Sequence, residues 1–229
     1  MKKQWEQVQG IYLHIPFCMQ KCLYCDFASF AGKNGLMHQY ALVLANEIRR
    51  RAEEMPVSER ATLYFGGGTP SLLPIDDLKI IINALKETEL WREPAEVTME
   101  MNPGTVDFAK LCQYREMGID RVSFGVQSLN DEELKIIGRL HTATEALMAI
   151  EQASKAGFER ISADLIFGLP TQTLATFKDT LSTIVDSAIS HLSVHGLTVE
   201  EGTPLAAKLA NGSLTLPSED EAEMMYDLT

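Results

Sequence analysis

Tyr12-Leu-His-Ile-Pro-Phe-Cys18-Met-Gln-Lys-Cys22-Leu-Tyr-Cys25 leaves a short apolar strand and runs into three cysteines spaced C-x₃-C-x₂-C. The strand is Gly10-Ile-Tyr-Leu-His-Ile15, so the thiols lie on the loop beyond its carboxyl end. Met1 to Gly10 is polar and charged with no apolar run, which excludes a secretory signal there and places the chain in the cytoplasm, where thiols stay reduced. Clustered cysteines in that setting read as metal binding or catalysis, not as a disulfide framework. Cubane iron–sulfur clusters are held by cysteine thiolates, usually four of them. Three thiolates at this spacing can take three irons and leave the fourth open to a chelating ligand. The competing reading is a structural zinc, with His14 or Asp26 as fourth ligand. Zinc ribbons favour two C-x₂-C pairs, however, and only one such step occurs. The remaining cysteine, Cys112, shares a helical stripe with Phe108 and Leu111 and is expected to be a buried small hydrophobe.

Downstream, short β-type runs alternate with helical patterns. Strands are expected over Thr62–Phe65, Glu96–Met101, Arg121–Gly125, Arg160–Phe167 and His191–Leu197. Helices are expected over Leu36–Glu54, Ile75–Thr88, Val106–Met117, Asp131–Ile137, Thr144–Ala156 and Leu174–Asp186. The alternation implies right-handed βαβ units and a parallel sheet. Either a doubly wound sheet or a partial barrel satisfies it, and in both the ligand sits beyond the carboxyl ends of the strands. Ser218-Glu-Asp-Glu221 is a capping box, with Ser218 as N-cap. The helix it starts reaches Thr229 after about two turns. So short a helix is expected to fray, and to belong to a longer protein.

The chain has 229 residues and a formal net charge of -12, with 45% apolar residues. That suffices for a sizeable core. So acidic a surface repels phosphate backbones, which argues against nucleic-acid binding. No apolar run reaches membrane-spanning length.

Further segments recur in order after the cysteine loop: Tyr64-Phe-Gly-Gly-Gly-Thr-Pro70, Glu100-Met-Asn-Pro103, Ser123-Phe-Gly-Val-Gln127, Gly138-Arg-Leu-His141 and Asp164-Leu-Ile-Phe-Gly-Leu-Pro170. With that loop they resemble the radical S-adenosylmethionine (SAM) superfamily. More narrowly they are similar to the group that holds the oxygen-independent coproporphyrinogen III oxidases and the HemW heme chaperones. The resemblance runs from Tyr12 to about Thr203. It implies a partial (β/α)₆ TIM-like barrel, a [4Fe–4S] cluster and SAM on its open iron. It divides the chain into an extension over 1–9, a radical SAM core over 10–203 and, over 204–229, the start of a carboxyl-terminal region that is cut short.

Carried over residue by residue, the resemblance makes Cys18, Cys22 and Cys25 the cluster ligands, with Tyr12 and Tyr24 beside cluster and SAM. Gly67, Gly68 and Thr69 match the turn that receives the methionine end. Glu100, Gln127, Arg139 and Asp164 match polar contacts to SAM, and Thr198 is a weaker match at the end of the last strand. Each residue also has a plain physical reading. Gly66-Gly-Gly lets backbone amides approach a ligand, or is simply a tight strand-to-helix turn. Glu100 suits a ligand's hydroxyl or ammonium group, or a neighbouring cation. Arg139 can also be a solvated helix end. His141, among polar neighbours, reads as a surface residue or helix N-cap. His191 and His195 flank the last strand, and His195 faces the lumen only if the alternation turns it inward.

Within that group, the oxidase carries a further cysteine two residues after the third ligand. Here Cys25-Asp26-Phe27 puts phenylalanine there, as in the chaperone branch. The resemblance therefore implies a heme chaperone that delivers heme to respiratory proteins. The alternative is the oxidase, which converts two propionates of coproporphyrinogen III to vinyls. Either implies an electron donor such as flavodoxin or ferredoxin. Peripheral contact with a membrane is compatible with it; a membrane span is not.

Overall fold

The computed structural model describes residues 8–54, 57–88 and 90–229. In chain order the elements are β1 (Val8–Ile15), β2 (Phe17–Cys18), β3 (Phe30–Ala31), α1 (Met37–Ala52), β4 (Val57–Gly67), α2 (Ile75–Glu87), β5 (Val97–Met101), α3 (Phe108–Met117), β6 (Arg121–Gln127), α4 (Asp131–Ile136), α5 (Ala143–Lys155), β7 (Arg160–Phe167), α6 (Leu174–Val185), β8 (His191–Gly196), α7 (Pro204–Ala210) and α8 (Glu219–Tyr226). One six-stranded parallel sheet runs β1-β4-β5-β6-β7-β8, and β2 pairs with β3 in a small ribbon of their own. Every crossover moves in the same direction. A doubly wound sheet would reverse direction at a switch point, so the sheet curls as a half-barrel instead.

Alternation along the strands sorts residues between the two faces. Leu13, Ile15, Leu63, Phe65, Val97, Met99, Val122, Phe124, Ile161, Ala163 and Leu165 are buried and pack with helix residues such as Ile48, Ile81, Leu85, Ala149 and Ile150. The other face is concave and polar. Tyr12, Tyr64, Glu100, Ser123 and Asp164 lie along it. Low in this lumen, Arg121 and Arg160 both pair with Glu96, at 3.4 and 3.1 Å.

Several boundaries differ from the sequence reading for local reasons. The first strand starts at Val8, inside the expected extension, of which residues 1–7 lie outside the described residues. The helix expected from Val106 starts at Phe108, because Asp107 caps it by accepting from the Lys110 amide at 2.8 Å. Phe108 is exposed and Cys112 only partly buried, so the buried stripe is Leu111 and Tyr114 instead. The short helix α7 was not anticipated; Leu205 anchors it. The Ser218 capping box forms as expected, but α8 is not left to fray. Met225 is fully buried, α8 packs on α6 and β7, and the Tyr226 ring lies 6.1 Å from that of Phe167. Among the described residues, no helix is long and apolar enough to cross a membrane.

Candidate functional site

The cysteine loop hangs over the carboxyl ends of the strands and is pinned at several points. The Leu23 amide donates to the Ile137 carbonyl at 2.9 Å, and Leu205 N–H donates to Leu23 O at 2.9 Å. Beneath the loop, Ile137, Ile166 and Leu169 form a second apolar cluster, on which Tyr24 and Leu197 pack. His14 holds the far side: its Nε2 donates to Ala28 O at 2.9 Å, while Nδ1 accepts from the Tyr12 hydroxyl at 3.1 Å. Both ring nitrogens are thus committed, which removes His14 as a zinc ligand. Asp26, the other candidate, is exposed.

Cys18, Cys22 and Cys25 are all free thiols lining one cavity. Donors stand close to the sulfurs. Thr69 Oγ1 lies 3.8 Å from Cys18 Sγ, and Arg139 Nη1 lies 3.5 Å from Cys22 Sγ. Burial pushes the Cys25 thiol up. Among the described residues, no three His, Cys, Asp or Glu side chains are grouped to hold a single metal ion. A structural zinc needs such a group, whereas a cubane takes each thiolate on a different iron.

The same cavity is lined by Tyr24, Gly67, Gly68, Thr69, Glu100, Gln127, Arg139 and Asp164. Tyr12 stands outside it and stacks on Tyr64 at 6.0 Å. Thr198 is exposed beyond β8 and does not line it. The glycine turn is crowded. A Cβ on Gly68 would lie 2.6 Å from Phe17 O and 3.0 Å from Cys18 Sγ, and one on Gly66 would lie 2.8 Å from both tyrosine rings. The absence of side chains is thus what lets the turn and the cysteine loop meet.

Among the described residues, no cation is hydrogen-bonded to Glu100. It accepts from the Tyr64 hydroxyl at 2.8 Å and from the Gly67 amide at 3.0 Å. Burial raises its pKa, while these two hydrogen bonds oppose the rise. Burial likewise raises Asp164, which accepts from Ser123 Oγ at 3.2 Å and stands in register with Ser193 on β8. His195, two residues beyond Ser193, acts electrostatically on Asp164, as does His191. Ser193 shares a face with His191 and His195, each two residues away, and hydrogen-bonds Asp164, so both histidines belong to the concave side. Burial also pushes the Tyr24 phenol up, with Arg139 opposing.

Arg139 is no solvated helix end. Its Nη2 donates to Gly125 O at 2.5 Å, and its Nε is buried without a partner among the described residues. A buried donor left over in this way is available to an acceptor on a bound ligand or water. His141 also departs from expectation. It is 3% exposed, its Nε2 donates to Val126 O at 3.1 Å, and Thr142 is the N-cap of α5. Tyr64 and Ser123 went unnoticed in the sequence; period-two alternation within their own motifs places both in the lumen.

A curled parallel half-barrel with free thiols, a side-chain-free turn and buried carboxylates at its mouth defines a cofactor-dependent barrel protein. Residues 12–184 match the model of the radical SAM superfamily, and the chain belongs to it. The superfamily implies a [4Fe–4S] cluster and SAM. The residues present fit both: three thiols for the cluster, and an orphaned Arg139 donor and a crowded glycine turn for an amino-acid end. When bound, the pair supplies one-electron cleavage of a sulfonium carbon–sulfur bond.

The chain is 38% identical over 195 residues to the heme chaperone HemW of Escherichia coli, covering 85% of this chain and 52% of the relative. It is 36% identical over 202 residues to the heme chaperone HemW of Haemophilus influenzae, covering 86% and 53%. Among solved structures it is similar to coproporphyrinogen III oxidase from Escherichia coli, a radical SAM enzyme, with a TM-score of 0.82 and 27% identity over 96% of this chain and 51% of that one. The chain spans about half the length of the relatives it matches.

Proposed function

We propose that this chain is the radical SAM core, over 10–203, of a heme-handling protein of the HemW type. Cys18, Cys22 and Cys25 hold the [4Fe–4S] cluster. Gly67, Gly68, Thr69, Glu100, Gln127, Arg139 and Asp164 bind SAM. Tyr24 packs beneath the cluster loop, and Tyr12 steadies it through His14. In the full-length protein this core carries or releases heme to a respiratory recipient, drawing on a reductant such as flavodoxin or ferredoxin. The protein works in the cytoplasm.

The observation that carries the chaperone reading is Phe27. It stands where the oxidase pattern has a cysteine, it lines the cavity, and it is 65% exposed. A large apolar ring left in solvent at the mouth suits a flat apolar ligand such as a porphyrin face. The fold likeness to coproporphyrinogen III oxidase supports the alternative, oxidative decarboxylation of propionates. One experiment decides between them. With reductant and SAM, the full-length protein should bind heme and convert no coproporphyrinogen III. Accumulation of a monovinyl intermediate or of protoporphyrinogen IX over many turnovers would overturn the chaperone reading.

A further inference from the structure

Among the described residues, only Gln127 and Thr171 combine a side chain with a positive φ, 69° and 65°. At Gln127 the strain is compound. The Ser128 amide donates to Val126 O at 2.9 Å, which closes a γ-turn around Gln127 in its strained, positive-φ sense. The ladder is also bulged there: Gly125 pairs with Asp164, and Gln127 with Leu165. A backbone in this state persists only where its surroundings over-determine it.

The surroundings come from residues 133–141. Glu133, in the first turn of α4, is 1% exposed. Its carboxylate accepts from Ser128 Oγ at 2.6 Å, Gln172 Nε2 at 3.0 Å and Thr176 Oγ1 at 2.6 Å. Ser128 follows Gln127, and Gln172 follows Thr171. One buried carboxylate therefore grips the residue next to each strained one. From the other side, the His141 Nε2–H donates to Val126 O, the same carbonyl that closes the γ-turn. Neither Glu133 nor His141 lines the cavity. Gln127 does.

We infer that Glu133 and His141 are positioning residues, which clamp the γ-turn so that the Gln127 side chain stays turned into the SAM cavity. This rests on the reading of that cavity as the SAM site. Neither Glu133 nor His141 is hydrogen-bonded to a cysteine, and Ser128→Ala leaves residues 137–139, which pin the cysteine loop, in place, so its loss of SAM binding should come with cluster assembly intact.

The test measures the dissociation constant of SAM by equilibrium dialysis, and iron per chain, on the intact reconstituted chain. Ser128→Ala cuts the link between Glu133 and the turn while removing little bulk. Ser128→Ala and Glu133→Ala should each weaken SAM binding about five- to twentyfold at unchanged iron content, the range of a lost hydrogen bond. Gln127→Ala should weaken it at least as much. Ser128→Ala added to Gln127→Ala should then cost nothing further, because the clamp acts only through that side chain. Multiplying losses, or a Ser128→Ala chain that binds SAM as well as its parent, would overturn the inference. A parent chain that holds its cluster and ignores SAM would instead overturn the SAM reading, and the clamp's purpose with it.

Discussion

The Arg139 guanidinium reaches both the cluster loop and the strand ends: Nη1 lies 3.5 Å from Cys22 Sγ while Nη2 donates to Gly125 O. It bridges a cluster cysteine to β6, and its buried Nε has no partner among the described residues. Lysine would keep the charge and lose the fork. Arg139→Lys should therefore retain most of its iron, with SAM binding weakened on the order of tenfold to a hundredfold, as expected for a charge-assisted hydrogen bond. Iron content and a SAM titration of the same sample check this. Loss of iron in step with loss of SAM binding would assign Arg139 to cluster assembly alone.

A Cβ on Gly68 would press on Phe17 O and Cys18 Sγ, and neither backbone carbonyl nor ligand sulfur can give way cheaply. Gly68→Ala should cost on the order of 1–3 kcal/mol in stability, as overpacking does, and should lower the iron taken up on anaerobic reconstitution. Gly35→Ala is the control, since a Cβ there meets nothing within 4 Å. Thermal unfolding and iron analysis of both variants decide the matter, and equal behaviour would discard the close-approach account of the turn.

Burial lowers the His141 pKa to about 4, from 6.5 when unfolded, and Arg139 adds to the fall. The folded chain thus resists a proton that the unfolded chain accepts. Stability tied to His141 is fully present above pH 6.5 and is lost as pH falls toward 4, on the order of 3 kcal/mol in all. Glu100 and Asp164, both raised by burial, slope the other way, since protonation relieves them. Comparison with His141→Gln isolates the histidine. Urea unfolding of the cluster-free chain between pH 4 and 7 should show the parent losing more stability on acidification than the variant. Parallel curves would rule His141 out as the source.

What could be read from the sequence follows from how local each signal is. Strand alternation and the cysteine spacing are local, and they gave the strands and the thiol loop; it was the resemblance, carried by short motifs, that set Glu100 and Asp164 beside the thiols. The sheet order is not local; it emerged only when each crossover was seen to step the same way. His141 misled because its neighbours in sequence are polar, while its neighbour in space is the Val126 carbonyl. Cys112 erred in the opposite direction: it is only partly buried, and the buried residues of α3 are Leu111 and Tyr114. Met225 could not have been anticipated to dock, since its partners on α6 and β7 lie some forty to sixty residues earlier in the chain.

Asp164 offers the sharpest separation of cluster from SAM. It stands in the carboxyl-terminal half of β7, is raised by burial, and is held by Ser123 with no cation hydrogen-bonded to it among the described residues. A buried carboxylate so placed is costly unless a ligand's hydroxyl or ammonium group takes up its remaining lone pairs. It touches none of the three thiols, so iron uptake should not depend on it. Reconstituted parent chain should hold about four irons, as a cubane requires. Cys22→Ala should lose the brown chromophore. Asp164→Asn should keep parental iron, and SAM should perturb the electron paramagnetic resonance of its reduced cluster only at concentrations raised about tenfold or more. An Asp164→Asn chain that responds to SAM as its parent does would leave the carboxylate a structural partner of Ser123. Stoichiometric zinc with no iron uptake in the parent would remove the cluster itself.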